Sequence, residues 1–464
     1  DLLESRGLGD VYKRQASGAL LDSGQYNKLI EKVLKSDQFK EIKIRQKKAI
    51  EEGDLYGIGY SAIVEPSISN MGYITTAVPF KEREKTGHKG GAITSASVTI
   101  GPTGGVYVTC DSIPQGQGHK TVLSQIVADV FGINIENILV NGELDTQKDA
   151  WSIAAGNYSS RFAGAVAGTT FLAAEKLKKR LLKIASSKLN SIEENIIFEN
   201  NYVLDKNNSD NKISFNRLVG AAHWSPGNLP ENCENGLRET IHWTPPQLSP
   251  PNNKDQINGS LAYGFVFDVC GLRINPLTGK TKIDRYITGH DAGKIINPLL
   301  ANGQIYGAFA HGVGAALYEE FKYTADGSFL AGTFADYLLA STKEIITPTI
   351  IHIETPSPFT PLGSKGLGEG NCMSTPVAIA NAACDALKLD NVTLPLTHSK
   401  VHGYTHINKT EKKRRKNNQG NFLNTTQSKN NLINGNGNYL IEQKRELVWT
   451  CLLYTSPSPR DSSK

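Results

Sequence analysis

The stretch PLGSKGLGEGNCMSTP, residues 361–376, sets one carboxylate, Glu369, among closely spaced glycines. Glycine loses more backbone entropy on ordering than any other residue. A loop of this composition is therefore either dispensable or shaped so that something approaches its backbone closely. The stretch closes with Thr375 as N-cap and Pro376 at the first helical position, which predicts a helix over 374–388. Taken alone, Glu369 reads as a solvated loop acid. A buried glutamate would instead have a raised pKa and serve as a base near neutral pH. No acidic neighbour lies within the loop, so no carboxylate pair is encoded locally.

Working outward, residues 16–55 read as helix around Leu29, Ile30, Val33 and Leu34. YGIGYSAIVEP (56–66) reads as a buried strand. Two β runs flank Gly-Pro-Thr-Gly-Gly in 93–110, a hairpin signal, and a second hairpin in 262–293 turns at NPLTGK. Helices are predicted from His119, over 159–186 and over 297–321. The first half of 159–186 is rich in Ala and Gly, and Gly303, Gly307, Ala308, Gly312 and Ala316 form a row of small residues, so both helices are expected to pack closely. Residues 187–260 are polar and read as loops with a few short strands. Hairpins mixed with helices, without regular β-α-β alternation, indicate an α+β fold.

The chain has 464 residues, enough for two or three domains, with 39% hydrophobic and 20% charged residues and 44 glycines. Much of the net charge of +5 lies in KTEKKRRKNNQGN (409–421), so the folded part is nearly neutral and no general nucleic-acid surface is indicated. Cys110, Cys233, Cys270, Cys372, Cys384 and Cys451 show no C-x-x-C or C…H spacing, which argues against a zinc site, an iron–sulfur cluster held by this chain or a disulfide scaffold. Reduced thiols fit a cytoplasmic protein. No apolar run is long enough to span a bilayer.

Three further segments carry candidate chemistry. DSIPQGQGHKT (111–121) alternates Gln115, Gly116, Gln117 and Gly118 just before the helix that opens at His119. A glycine-rich approach to a helix N-terminus offers free N–H groups to an anion. The pattern is neither a Walker loop nor a G-x-G-x-x-G fingerprint, and an ordinary tight turn remains open. WSIAAGNYSSRFAG (151–164) places Asn157, Ser159, Ser160 and Arg161 before the Ala/Gly helix, as a second phosphate cradle or a serine-capped helix start. GHDAGKIINPLLANGQ (289–304) brings Gln304 onto a helix with small neighbours; His311, further along, reads as a structural group.

In this order and at these separations the four segments resemble the molybdenum-cofactor-binding large subunit of the xanthine dehydrogenase/aldehyde oxidase family, especially its carbon-monoxide-dehydrogenase-like bacterial members. The resemblance runs over about residues 16–403. It rests on Gly116-Gln117-Gly118, on Tyr158-Ser159-Ser160-Arg161, on Asp291, Gly293, Asn297, Pro298, Gly303 and Gln304, and on Gly366-Leu367-Gly368-Glu369. It implies the second molybdopterin-binding domain of that family. The cofactor would be molybdopterin, in its cytosine dinucleotide form, with molybdenum held by the pterin dithiolene and no direct protein ligand. Gln115, Gly116, Gln117, Gly118, His119, Ser159, Ser160, Arg161, Gln304, Gly366 and Gly368 would bind it, and Glu369 would be the catalytic base. The implied reaction oxidises a small carbon substrate (carbon monoxide, an aldehyde or an N-heterocycle) by attack of a molybdenum-bound hydroxyl and hydride transfer to the metal centre.

The resemblance also implies an iron–sulfur (2Fe-2S) small subunit and an FAD-binding medium subunit as partners, in a dimer of heterotrimers, in the cytoplasm or at the inner face of the membrane. The family's large subunit is roughly twice as long as this chain, and the substrate-selecting loop lies in its N-terminal half. Residues 1–15 and 451–464 resemble adaptor-like, non-native sequence, which makes the chain a fragment expected to be inactive alone. The expected organisation is a cofactor domain over 16–408, a disordered linker over 409–431, and over 432–450 the truncated start of a second domain. That second piece resembles the helix-grip proteins associated with maturing or anchoring carbon-monoxide dehydrogenases. A non-catalytic cofactor-binding or maturation module is the alternative reading.

Overall fold

A computed structural model describes residues 17–406, apart from 71, 87–92, 150, 153–154 and 232. The expectations for 1–15 and 409–464 lie outside the described residues. The element order is α1 (Tyr26–Leu34), α2 (Asp37–Glu51), β1 (Leu55–Ser69), α3 (Phe80–Thr86), β2 (Thr94–Ile100), β3 (Val106–Cys110), α4 (His119–Phe131), β4 (Ile138–Val140), α5 (Gly168–Leu189), β5 (Ile196–Glu199), β6 (Tyr202–Asp205), β7 (Asn208–Ser214), α6 (Phe215–Trp224), β8 (Arg238–Trp243), β9 (Ser260–Ile274), β10 (Thr281–Asp291), α7 (Pro298–Leu317), β11 (Thr349–Ile353) and α8 (Gly370–Leu387).

The strands form three sheets, ordered β1-β9-β10-β11, β4-β3-β2-β8 and β5-β6-β7. Both sequence-read hairpins are present: β2 pairs antiparallel with β3, and β9 with β10. The α+β expectation therefore holds, with β10–β11 and β3–β4 as the parallel pairs.

The first sheet is covered on both faces, and its sequence alternation explains how. Phe265, Phe267 and Val269 of β9 pack with α1 and α2, while Cys270, Leu272 and Ile274 pack with α7 and α8. Strand β1 does the same with smaller residues. Tyr56 and Ile58 face α1 and α2. A Cβ on Gly57 or Gly59 would lie about 2 Å from a carbonyl oxygen of α8, so α8 lies directly on the β1 backbone. The second sheet buries Ala96, Val98, Val106 and Val108 under α4 and α5. Among the described residues no helix is long and apolar enough to cross a membrane.

Four sequence expectations are corrected. Residues 16–55 form two helices, because Ser36 accepts a hydrogen bond from the Phe39 N–H at 3.2 Å and starts α2 afresh. The helix predicted from 159 becomes regular only at Gly168, after a wide π turn over Phe162–Ala167. Residues 187–260 hold α6, where Ser214 caps an apolar face of Phe215, Leu218, Val219 and Ala222. Helix α8 begins at Gly370, not at Thr375, and contains Pro376. The reason is Asn371: its buried amide bonds Asp268 and Thr288 and meets His290, pinning an extra first turn onto the sheet. The small-residue row of α7 divides likewise. Ala308, Gly312 and Ala316 are buried, Gly312 against α8, whereas Gly303 and Gly307 face open space.

Candidate functional site

A cleft of about 390 Å³ opens where the two larger sheets and their helices meet. Four separate segments reach it: Gln115 and Gln117 before α4, 157–163 before α5, 292–304 into α7, and 365–369 before α8. Local sequence explains each placement.

Gly118 caps α4 in a left-handed conformation, φ 84°, and that turn holds the two glutamines at the helix mouth. Both side chains are tied down by hydrogen bonds. The Gln115 N–H donates to Gln117 Oε1 at 2.5 Å, and Asn157 Nδ2 donates to Gln115 Oε1 at 3.0 Å. The Asn297–Pro298 pair works as N-cap and first helical residue, with the Leu300 N–H donating to Asn297 Oδ1 at 3.0 Å. Two turns later Gln304 meets the cleft. Asp291 steadies the preceding turn by accepting from the Gly293 and Thr355 N–H groups.

The glycines of the opening stretch are filled largely by the protein itself. A Cβ on Gly366 would lie 2.6 Å from Ser67 Cβ and 2.7 Å from Ser160 Cβ; on Gly370 it would lie 2.6 Å from Val266 and 3.0 Å from Glu65 Oε2. A Cβ on Gly368 would have more room, with Ser160 Oγ 3.4 Å and Gln304 Oε1 4.0 Å away. The loop is thus pressed onto β1 and the start of α5, with Glu369 held at the N-terminus of α8.

The sequence-selected residues divide into two groups. Gln115, Gln117, Ser160, Gln304, Gly366, Gly368 and Glu369 line the cleft. His119, Ser159 and Arg161 lie behind its wall. His119 stacks on Phe162 with ring centroids 3.8 Å apart and meets the Ser112 hydroxyl at 2.9 Å; burial pushes its pKa down to about 4. Arg161 is fully buried, 3.3 Å from Asp111 Oδ1, and also donates to the Ile93 carbonyl. Asp111 in turn accepts from Thr94, Ser95 and Ser152. Ser159 has φ 56° and Ser160 φ 44°, a turn in which the Ser159 carbonyl and hydroxyl accept the Ile68 and Ser69 N–H groups. Gly116 and Gly118 do not line the cleft themselves; with φ 104° and 84° they shape the turn that carries Gln115 and Gln117 to it.

Sequence reading passed over three residues. Lys294, exposed, and Lys365, buried, both line the cleft; Lys365 Nζ donates to the Ser23 carbonyl at 3.1 Å. The third is Glu65 of β1, fully buried, whose Oε1 lies 2.7 Å from the Ser160 hydroxyl and accepts from the Glu369 N–H at 3.2 Å. Its signal was an acid in a strand otherwise apolar or small, on the same alternating face as Gly57 and Gly59. Burial pushes its pKa up to about 7, against the hydrogen bonds from Ser160 and Glu369.

Residues 32–346 match the model of the molybdopterin cofactor-binding domain. The chain belongs to that family, and its relatives are molybdenum-dependent oxidoreductases of the xanthine dehydrogenase group. Among curated relatives, it is 31% identical over 373 residues to the nicotine 6-hydroxylase large subunit of Paenarthrobacter nicotinovorans, a match covering 80% of this chain and 42% of the relative. It is 30% identical to the carbon monoxide dehydrogenase large chain of Hydrogenophaga pseudoflava, covering 82% of this chain and 44% of the relative. The carbon monoxide dehydrogenase structure from Oligotropha carboxidovorans superposes with a TM-score of 0.73 at 26% identity, covering 88% of this chain and 48% of that one. The chain therefore spans somewhat under half the length of these relatives.

The cleft suits a pterin cofactor. Its volume falls within the ~300–1,000 Å³ of small-molecule sites. Three glutamine amides and a serine hydroxyl converge on it beside the close backbone of Gly366–Gly368. Such a set presents both donors and acceptors to a flat polar ring system and its phosphates.

Proposed function

We propose that this chain forms a large share of the cofactor cradle, and carries the catalytic base, of a molybdenum hydroxylase or dehydrogenase large subunit. The observation behind this reading is the convergence of Glu369, Gln304, Gln117 and Ser160, from four separate segments, on one cleft. When bound, the molybdenum centre supplies the two-electron oxidation of substrate carbon.

The residues of this chain divide the remaining work. Gln115, Gln117 and Gln304 orient the pterin through their amides, and Gly116, Gly118, Gly366 and Gly368 contribute backbone at close range. Ser160 contacts the group from its left-handed turn. Lys294 offers a positive charge to the phosphates of a dinucleotide form, which we assign as the cytosine dinucleotide. Arg161, His119 and Ser159 support these walls from behind. Glu369 accepts a proton at its carboxylate as the substrate is oxidised. Iron–sulfur and flavin groups on partner subunits would take up the electrons. The substrate is a small carbon compound selected by parts of the enzyme outside this chain.

Metal and nucleotide analysis of the full-length protein carrying this chain tests the reading. Molybdenum and a pterin cytosine dinucleotide in comparable amounts are expected. A well-folded preparation that takes up neither, under conditions that load a related enzyme, would contradict it and point to a non-catalytic module.

A further inference from the structure

Glu65 is a second carboxyl group directly behind Glu369, brought there by β1 from 304 residues away. The Ser160 hydroxyl lies between the two acids, 2.7 Å from Glu65 Oε1 and 3.2 Å from Glu369 Oε2. The other oxygen of Glu65 sits beside Gly370 without a well-formed hydrogen bond.

A hydroxyl carries one proton and directs it at one acceptor. With both glutamates ionised, one of the two Ser160 contacts would set a lone pair against an anion. No positive charge among the described residues offsets Glu65. An unpaired buried carboxylate is costly, and such a group takes up a proton instead. One extra proton satisfies every contact. Glu65 Oε1–H donates to Ser160 Oγ, Ser160 Oγ–H donates to Glu369 Oε2, and the remaining lone pair of Glu65 Oε1 accepts the Glu369 N–H.

We propose that Glu65 is a positioning residue for the base, holding one proton that it directs through Ser160 toward Glu369, so that the Glu369 carboxylate stays aimed into the cleft. The role assigned to Glu65 rests on the reading of Glu369 as the base. It gives Ser160 and the buried acid of β1 a joint task.

Among the described residues, the titratable groups facing Glu65 are Glu369 on the loop and the Cys372 thiol in the first turn of α8. That thiol is pushed up by burial first, then by the charges of Glu369 and Glu65. On β9, Val266 and Gly264 pack nearby without charge. The pKa of Glu65 rises from an ordinary 4.5 to about 7 on folding. Well below pH 4.5 the group is neutral in both states. Between these values the folded state binds the extra proton and the unfolded chain does not, so stability falls as pH rises through this window. Glutamine, always neutral, removes that dependence.

The test uses the full-length protein carrying this chain. As apoprotein, Glu65→Gln should gain melting temperature relative to wild type from pH 5 to pH 8. A gap that does not change with pH would overturn the shared proton. In the loaded enzyme, Glu65→Leu should lose about 10–100-fold in turnover, the range for groups that orient a reacting residue. Glu65→Gln should recover at least part of that loss, and its turnover should not fall above about pH 7, where that of the wild type is expected to fall. Gln and Leu variants equally impaired, with unchanged pH profiles, would overturn the positioning role. Near-normal turnover in Glu369→Gln would instead defeat the base reading, and the melting comparison would still decide whether Glu65 holds its proton.

Discussion

Two glycine-rich loops border the cleft, similar in composition and different in physics. The loop at 115–118 uses glycine for backbone angle: Gly116 and Gly118 have φ of 104° and 84°, and a Cβ on Gly116 would meet nothing within 4 Å. The loop at 366–370 uses glycine for nearness: its glycines carry no positive φ, and side chains on Gly366 or Gly370 would collide with Ser67, Ser160, Val266 or Glu65. The first loop is open at Gly116, while Gly118 lies against the Leu300 side chain. The second is braced against its own protein, which is the condition for holding one carboxylate at a fixed point.

The largest expected effect falls on the wall behind the first loop. Arg161→Leu removes the buried partner of Asp111 and leaves an uncompensated buried charge, which costs about 3–5 kcal/mol. Denaturant unfolding measures it. A loss below about 1 kcal/mol would mean that Arg161 is not the brace described. Smaller effects separate the loops directly. Gly366→Ala overpacks and should cost about 1–3 kcal/mol, whereas Gly116→Ala forces a positive φ and should cost about 1–2 kcal/mol. Asparagine tells them apart, since it tolerates positive φ but is larger than alanine. Gly116→Asn should be milder than Gly116→Ala, and Gly366→Asn harsher than Gly366→Ala. The same order at both positions would erase the distinction.

Much of this arrangement was legible beforehand because the signals were local. Both hairpins followed from alternation around turn residues, and Glu369, Gln304 and Gln117 stood out by their glycine context. Other features depended on distant partners. Thr375–Pro376 has every mark of a helix start, yet Asn371 reaches Asp268 and Thr288 on the sheet and starts α8 a turn earlier. Arg161 resembles a phosphate ligand in sequence, but Asp111 draws it inward. Glu65 could not be paired with Glu369 by proximity in sequence, because the register of β1 on β9 and the packing of α8 on β1 bring them together.

The most direct test of the account is Glu369→Gln in the full-length, cofactor-loaded enzyme, comparing molybdenum content and turnover on the same preparation. Unchanged molybdenum with turnover lower by at least ~10²-fold is the predicted result, as expected for removal of a general base. Near-normal turnover at full molybdenum content would contradict the claim that this loop exists to hold a catalytic carboxylate.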